Sequence, residues 1–152
     1  MCGRYLMDED NIHRLQDLSD YVNGVFSEGT VKPQDTAPVL CLKGDHLYLT
    51  PMKWGFTAAQ KGSLVINARS ESVFDKPMFK DAVKSRRCVL GCREFYEWNK
   101  NKEMATFTLT GQSTIYLAGI WSLFPDGERF TILTTKANAS MAPVRDRMPL
   151  ML

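Results

Sequence analysis

Short apolar runs recur at close intervals through most of this chain, each closed by a turn signal. "APVLCLKGDHLYLTPMKWGF" sets the pattern: two apolar runs joined by Gly44-Asp45, a favoured two-residue hairpin turn. "GSLVINARSES" reads as a buried strand that becomes polar at Asn67. Then come "RCVLGCREFYEWNK", "MATFTLTG", "STIYLAGIWSLF" and "ERFTILTTK", with turns at "NKNKE", "GQ" and "PDGE". Strands this short and this dense predict one curved, largely antiparallel sheet or a barrel-like β core. Two helices are predicted around it. "DEDNIHRLQDLSDYV" places Ile12, Leu15, Leu18 and Val22 at helical spacing behind acidic capping residues. "FDKPMFKDAVKSRR" reads as a short helix with Pro77 in its first turn. The fold class is therefore α+β with peripheral helices. No internal repeat or low-complexity linker divides the chain, so a single domain over residues 1–152 is expected.

Composition narrows the function classes. The 44% hydrophobic and 24% charged content is ordinary for a soluble globular domain, and a net charge of +2 does not by itself demand a nucleic-acid partner. The start is acidic and "KPMFKDAVKSRR" is basic, a run that taken alone reads as a solvated helix face. Cys41, Cys88 and Cys92 read as small buried hydrophobes of a reduced, cytoplasmic protein. No Cys or His completes a zinc site around Cys88 and Cys92, and His13 and His46 lack ligand spacing. No metal and no cofactor are expected. Acidic residues begin at Asp8 and no apolar signal-peptide core follows, so no secretion is expected. No stretch approaches the ~20 apolar residues of a membrane span.

The chain opens "MCGRY", with a cysteine directly behind Met1. Removal of Met1 would leave one residue carrying an α-amine and a thiol on adjacent carbons, with unperturbed pKa values near ~8 and ~8.5. Such a 1,2-aminothiol condenses with aldehydes to a five-membered thiazolidine, which no internal cysteine can do. Read alone, "MC" is a small residue with no role. Three polar stretches interrupt the apolar strands. In "VINARSES", Asn67, Arg69 and Glu71 share a face by period-2 alternation; in "REFYEWNK", Arg93, Phe95 and Glu97 do, with Trp98 opposite. "APVRDRMPLML" presses Arg145, Asp146 and Arg147 between proline and apolar residues. Singly, each has a structural reading: Arg69 paired with Glu71, Glu97 as a solvated strand-end acid, Asp146 as a turn cap.

Together, "MCGRY", "WGF" at Trp54, "INARSES", "EFYEW" and "RDRMP" stand in the order and spacing of the SRAP family (SOS response-associated peptidase), which the whole chain resembles. The resemblance implies a mixed α+β domain with a barrel-like β core and a basic groove. It implies a sensor of abasic sites in single-stranded DNA that links itself covalently to the lesion as a DNA–protein crosslink. The nucleophile would be Cys2 after loss of Met1, with Asn67 and Glu97 as the active-site asparagine and acid. Arg4, Arg69 and Arg147 would contact DNA, and Trp54 would be the groove tryptophan. No membrane partner and a monomer are expected. The chemistry agrees with these roles. An abasic deoxyribose opens to an aldehyde, and dehydration of the carbinolamine to an imine is acid-assisted, a task for Glu97. Arg4 would hold a phosphate beside the reacting carbon. Trp54 would stack on a base.

The chain also departs from the family pattern. Asp35 stands in "DTAP" where an asparagine is usual, and "WGFTAAQKG" lacks the proline and tryptophan that follow "WG". Arg145 replaces a histidine ahead of "DRMP", so position 145 keeps a cation and loses a proton shuttle. The sequence stops at Leu152, where relatives continue with a further helix, so the usual C-terminal extension is expected to be lacking. Two other readings stay open: an N-terminal-nucleophile amidase or cysteine peptidase, and a non-catalytic single-stranded DNA-binding module. The first lacks an obvious general-base histidine.

Overall fold

The computed structural model describes residues 2–60 and 62–152. The chain begins with β1 (Tyr5–Met7), α1 (Glu9–Leu18), β2 (Tyr21–Val22) and β3 (Gly29–Val31). Then follow β4 (Thr36–Lys43), β5 (His46–Trp54), β6 (Phe56–Thr57), β7 (Leu64–Val65) and β8 (Asn67–Arg69). Helix α2 (Lys80–Ser85) precedes β9 (Arg87–Cys92), β10 (Glu94–Trp98) and β11 (Met104–Phe107). Strands β12 (Ile115–Phe124), β13 (Gly127–Lys136) and β14 (Arg147–Pro149) complete the order.

Five of these strands form a closed barrel. They run β5-β4-β9-β12-β13, and β13 returns to β5 through the parallel pairs Arg129↔Lys53 and Phe130↔Trp54. Strands β2, β8 and β14 extend its edges, and β6 and β7 pair separately. A second sheet, β11-β10-β1-β3, carries the start of the chain. The Gly44-Asp45 hairpin forms as predicted, with Lys43 opposite His46 and Gly44 at φ +63°. Trp54 and Phe130 stack in the barrel at 5.9 Å, and Tyr5 packs on Trp54 at 5.4 Å, joining the second sheet to the barrel core.

Helix α1 is fixed to this core by a capping box. Asp8 accepts from the Asn11 amide, and the Asn11 carboxamide accepts from the Asp8 amide, both at 2.9 Å. Asn11 is buried because its Nδ2 also donates to Thr114 Oγ1 at 2.8 Å. Four sequence expectations need correction. Helix α1 ends at Leu18, which is 50% exposed, and Val22 lies in β2. Pro77 precedes α2 by three residues instead of sitting in its first turn, leaving the turn before the helix hydrogen-bonded through Lys76. "RCVLGCREFYEWNK" is two strands, because the chain leaves the barrel at Arg93 and enters the second sheet. The run at Leu64 likewise divides into β7, half-buried rather than buried, and β8, where Ala68 is buried and Arg69 exposed. Among the described residues, no helix is long and apolar enough to cross a membrane.

Candidate active site

The site lies where β1 and β10 run side by side. Tyr5 pairs with Phe95 and Leu6 with Glu94, and the Tyr96 amide donates to the Arg4 carbonyl at 3.0 Å just beyond β1. Antiparallel register therefore carries residues 2–4 along β10 toward Glu97. Alternation in β10 turns Phe95 and Glu97 inward, and Phe95 is anchored by stacking on Phe107 at 5.3 Å. Glu97 is thus not a solvated strand-end acid: only 1% of it is exposed.

Cys2 is fully buried at this point, its Sγ 3.9 Å from the Arg4 carbonyl oxygen. Burial pushes its thiol up to about 12, and the negative charge of Glu97 adds to the rise, which places the two side chains in one electrostatic unit. Burial also raises the Glu97 carboxyl, and the charge of Arg145 opposes that rise without overcoming it. Arg145 Nε stands 3.7 Å from Glu97 Oε2 and donates to the Trp98 carbonyl at 2.6 Å. Arg145 therefore rests on the buried acid and ties its own loop to β10.

The other expected residues divide sharply. Asn67 stands at the start of β8, beside Ile132 of β13, and the residue before it, Ile66, lies against Gly3, with an added Cβ 3.9 Å from Ile66 Cδ1. Asn67 Nδ2 makes only a long 3.5 Å contact to the Ile132 carbonyl, and its Oδ1 is buried without a hydrogen bond. This carboxamide is held in place while keeping its acceptor uncommitted. Arg4 lies over the Trp98 ring, with Cζ 4.9 Å from the centroid, and its buried Nε has no partner. Arg69 is exposed at the end of β8.

Two DNA-contact expectations are corrected. Trp54 is wholly buried between Tyr5 and Phe130, with its Nε1 donating to the Ile66 carbonyl at 3.0 Å, so it offers no face to a base. Arg147 is held by Glu71 in a two-pronged pair of 2.6 and 3.0 Å and donates to the Thr134 carbonyl at 2.9 Å. That guanidinium ties the loop after β8 to β13 and has little capacity for phosphate, and Glu71 pairs with it instead of with Arg69. The residue that sequence reasoning missed is Trp98. Half-buried beside Arg4 and Arg145, it is the tryptophan of the site, and the only signal was its place next to Glu97 in "FYEW". Among the described residues, no group of three or more His, Cys, Asp or Glu side chains could hold a metal ion.

This geometry brings together the stretches that carried the resemblance, and a direct comparison agrees. The sequence model of the family described as SOS response associated peptidase (SRAP) matches residues 1–152. The chain belongs to the SRAP family. Among its relatives, the abasic site processing protein YoqW of Bacillus subtilis is 28% identical over 170 residues, covering all of this chain and 76% of that one. The abasic site processing protein YedK of Escherichia coli is 28% identical over 169 residues, covering 75% of its own length. Crystal structures of SRAP-like fold include a protein from Bacteroides thetaiotaomicron, with a TM-score of 0.82 at 21% identity over 99% of this chain and 77% of that one. A phage-related protein from Bordetella bronchiseptica superposes with a TM-score of 0.75 at 21% identity over 99% and 77% of the two chains.

Proposed function

We propose that this SRAP protein processes abasic sites in single-stranded DNA by capturing them covalently on Cys2 after Met1 is removed. The observation that carries the proposal is the placement of a fully buried Cys2 in the field of an equally buried Glu97. Met1 lies outside the described residues, and its removal is part of the proposal.

The order of steps follows from the thiol. Burial disfavours the thiolate, which makes the sulfur a poor first nucleophile at neutral pH. The α-amine of Cys2 therefore attacks the aldehyde carbon of the ring-opened sugar, forming a carbinolamine. Protonation of its hydroxyl by Glu97 expels water and leaves an imine, and the raised affinity of this acid for its proton suits the task. The Cys2 S–H then adds across the C=N bond, sulfur to carbon and proton to nitrogen, closing the thiazolidine. Burial of the sulfur keeps it from other electrophiles until the imine is formed. Asn67 can accept a hydrogen bond from the amine or a sugar hydroxyl through Oδ1, and Arg4 and Arg69 supply cations for flanking phosphates.

The test is a denaturing gel with an oligonucleotide bearing one abasic site. A shifted band that survives SDS without reductant supports the proposal. Free oligonucleotide alone, from protein shown by mass spectrometry to begin at Cys2, overturns it.

A further inference from the structure

The strands of the barrel are unequally joined. Strands β4 and β5 pair from Thr36↔Lys53 to Lys43↔His46, and β9 and β12 from Ile115↔Cys92 to Ile120↔Arg87. Between these long ladders, and among the described residues, β4 and β9 share only Leu40↔Val89 and Cys41↔Cys88. The second of these pairs sets two thiols directly opposite each other in the barrel core. Both are free and buried, and the chemistry at Cys2 uses neither.

Their placement suits a covalent bond. Directly opposite residues of an antiparallel pair share a face, with Cα atoms and Cβ atoms each about 4.5–5.5 Å apart. A disulfide spans Cα atoms about 4.4–6.8 Å apart and needs Cβ atoms at about 3.5–4.5 Å, so a closure of roughly 1 Å is enough. This place in the fold can supply it. Cys41 stands two residues before the end of β4, and Cys88 is the second residue of β9. Opposite Cys88 on its other side is Gly119, where an added Cβ would stand 3.0 Å from Cys88 Sγ, so the missing side chain leaves the sulfur room to turn. Burial raises both thiols, which keeps the pair slow to react, and the charge of Lys43 opposes that rise at Cys41.

We propose that Cys41 and Cys88 are a reversible disulfide site, closed by exchange with a low-molecular-weight disulfide such as oxidised glutathione, and that the bond staples β4 to β9. The Cys41 thiolate attacks one sulfur of the small disulfide, forming a mixed disulfide and expelling one thiolate. The Cys88 sulfur then attacks the Cys41 sulfur, its proton passing to the second departing thiolate. The two protein thiols thereby lose two electrons and two protons, and the small disulfide gains them as two thiols. Cys2 and Glu97 take no part.

The test treats the folded protein with oxidised glutathione, caps the remaining thiols with iodoacetamide in denaturant and digests it with chymotrypsin. Cleavage after Leu90 separates Cys88 from Cys92. A mass spectrum without reductant should show the Cys41 and Cys88 peptides linked, and dithiothreitol should release them. The midpoint of thermal denaturation should rise by about 5 °C on oxidation and fall back on reduction. Cys88→Ala should instead accumulate glutathione on Cys41 and gain no stability. Cys41 and Cys88 both capped in the unmodified protein would overturn the proposal. So would linkage through Cys2 or Cys92, an unshifted midpoint in the linked protein, or Cys88→Ala with no glutathione on Cys41.

Discussion

At the scale of single residues, the site rests on two groups whose pKa burial raises. For Cys2 the consequences are direct. Cys2→Ala should abolish the SDS-resistant band, because neither ring closure nor sulfur attack remains. Cys2→Ser should leave an imine that borohydride traps and water otherwise reverses. Full crosslinking by protein retaining Met1 in its mass spectrum would refute this order of events. For Glu97 the sign follows from its raised pKa. Glu97 binds its proton more tightly in the folded state than in the unfolded one, so its ionisation opposes folding once pH exceeds the unfolded value of 4.5. Glu97→Gln should therefore raise the midpoint of denaturation at pH 7 while slowing adduct formation by about a hundredfold, with DNA affinity preserved. Lost affinity with normal chemistry would refute the role of Glu97. Arg145 lowers the same pKa, so Arg145→Gln should move the alkaline limb of the rate profile to higher pH. Arg145→His should add a histidine-type step.

At the scale of elements, what the sequence revealed and what it hid differ for physical reasons. Period-2 alternation placed Phe95 and Glu97 on one inward face, and the Gly44-Asp45 turn fixed the β4–β5 register, because both are local rules. The break at Arg93 was invisible because it depends on which neighbours are available: β4 and β12 flank β9, whereas β1 and β11 flank β10. Trp54 was misjudged for the same reason, since a tryptophan at a strand end can face core or solvent and only barrel closure decides. The glycine after it was legible in neither way. Gly55 sits at φ +113°, and an added Cβ would meet Leu64 side-chain carbons at 2.6 Å. Gly55→Ala combines backbone strain with a clash and should cost about 2–4 kcal/mol in chemical denaturation. Gly111→Ala, at φ +75° with nothing within 4 Å, should cost only the strain, about 1 kcal/mol. Equal losses at the two positions would show that the Leu64 contact yields without cost.

At the scale of the whole molecule, the barrel depends on the β5–β13 seam, whose parallel pairing joins strands distant in sequence. Arg129 clamps it from β13. Almost fully buried, it donates to the Gly55 carbonyl at 3.0 Å and to Gln34 at 3.2 Å, and grips Asp126 at 2.6 and 3.0 Å. Lys53 reaches the same carboxylate from β5 at 3.2 Å, so Asp126 bridges the two sides of the seam. These bonds, led by that of Arg129, hold the Asp126 carboxyl down at about 2. A depressed carboxyl stabilises the fold above its unfolded value of 3.8, and that contribution is lost as pH falls toward about 2. Arg129→Met keeps most of the buried volume but strands the Gly55 carbonyl, and should cost about 2 kcal/mol at pH 7. It should also lessen the acid-dependent loss between pH 4 and pH 2 that the unmodified protein shows, because Asp126 then titrates nearer its unfolded value. Asp10 and Glu71, held down by Arg14 and Arg147, keep their shares of that loss. Lys53→Met should remove less of it. Denaturation midpoints measured from pH 7 to pH 2 on the three proteins decide the matter: if Arg129→Met lost stability with acid as steeply as the unmodified protein, the bond to Asp126 would not be what closes the barrel.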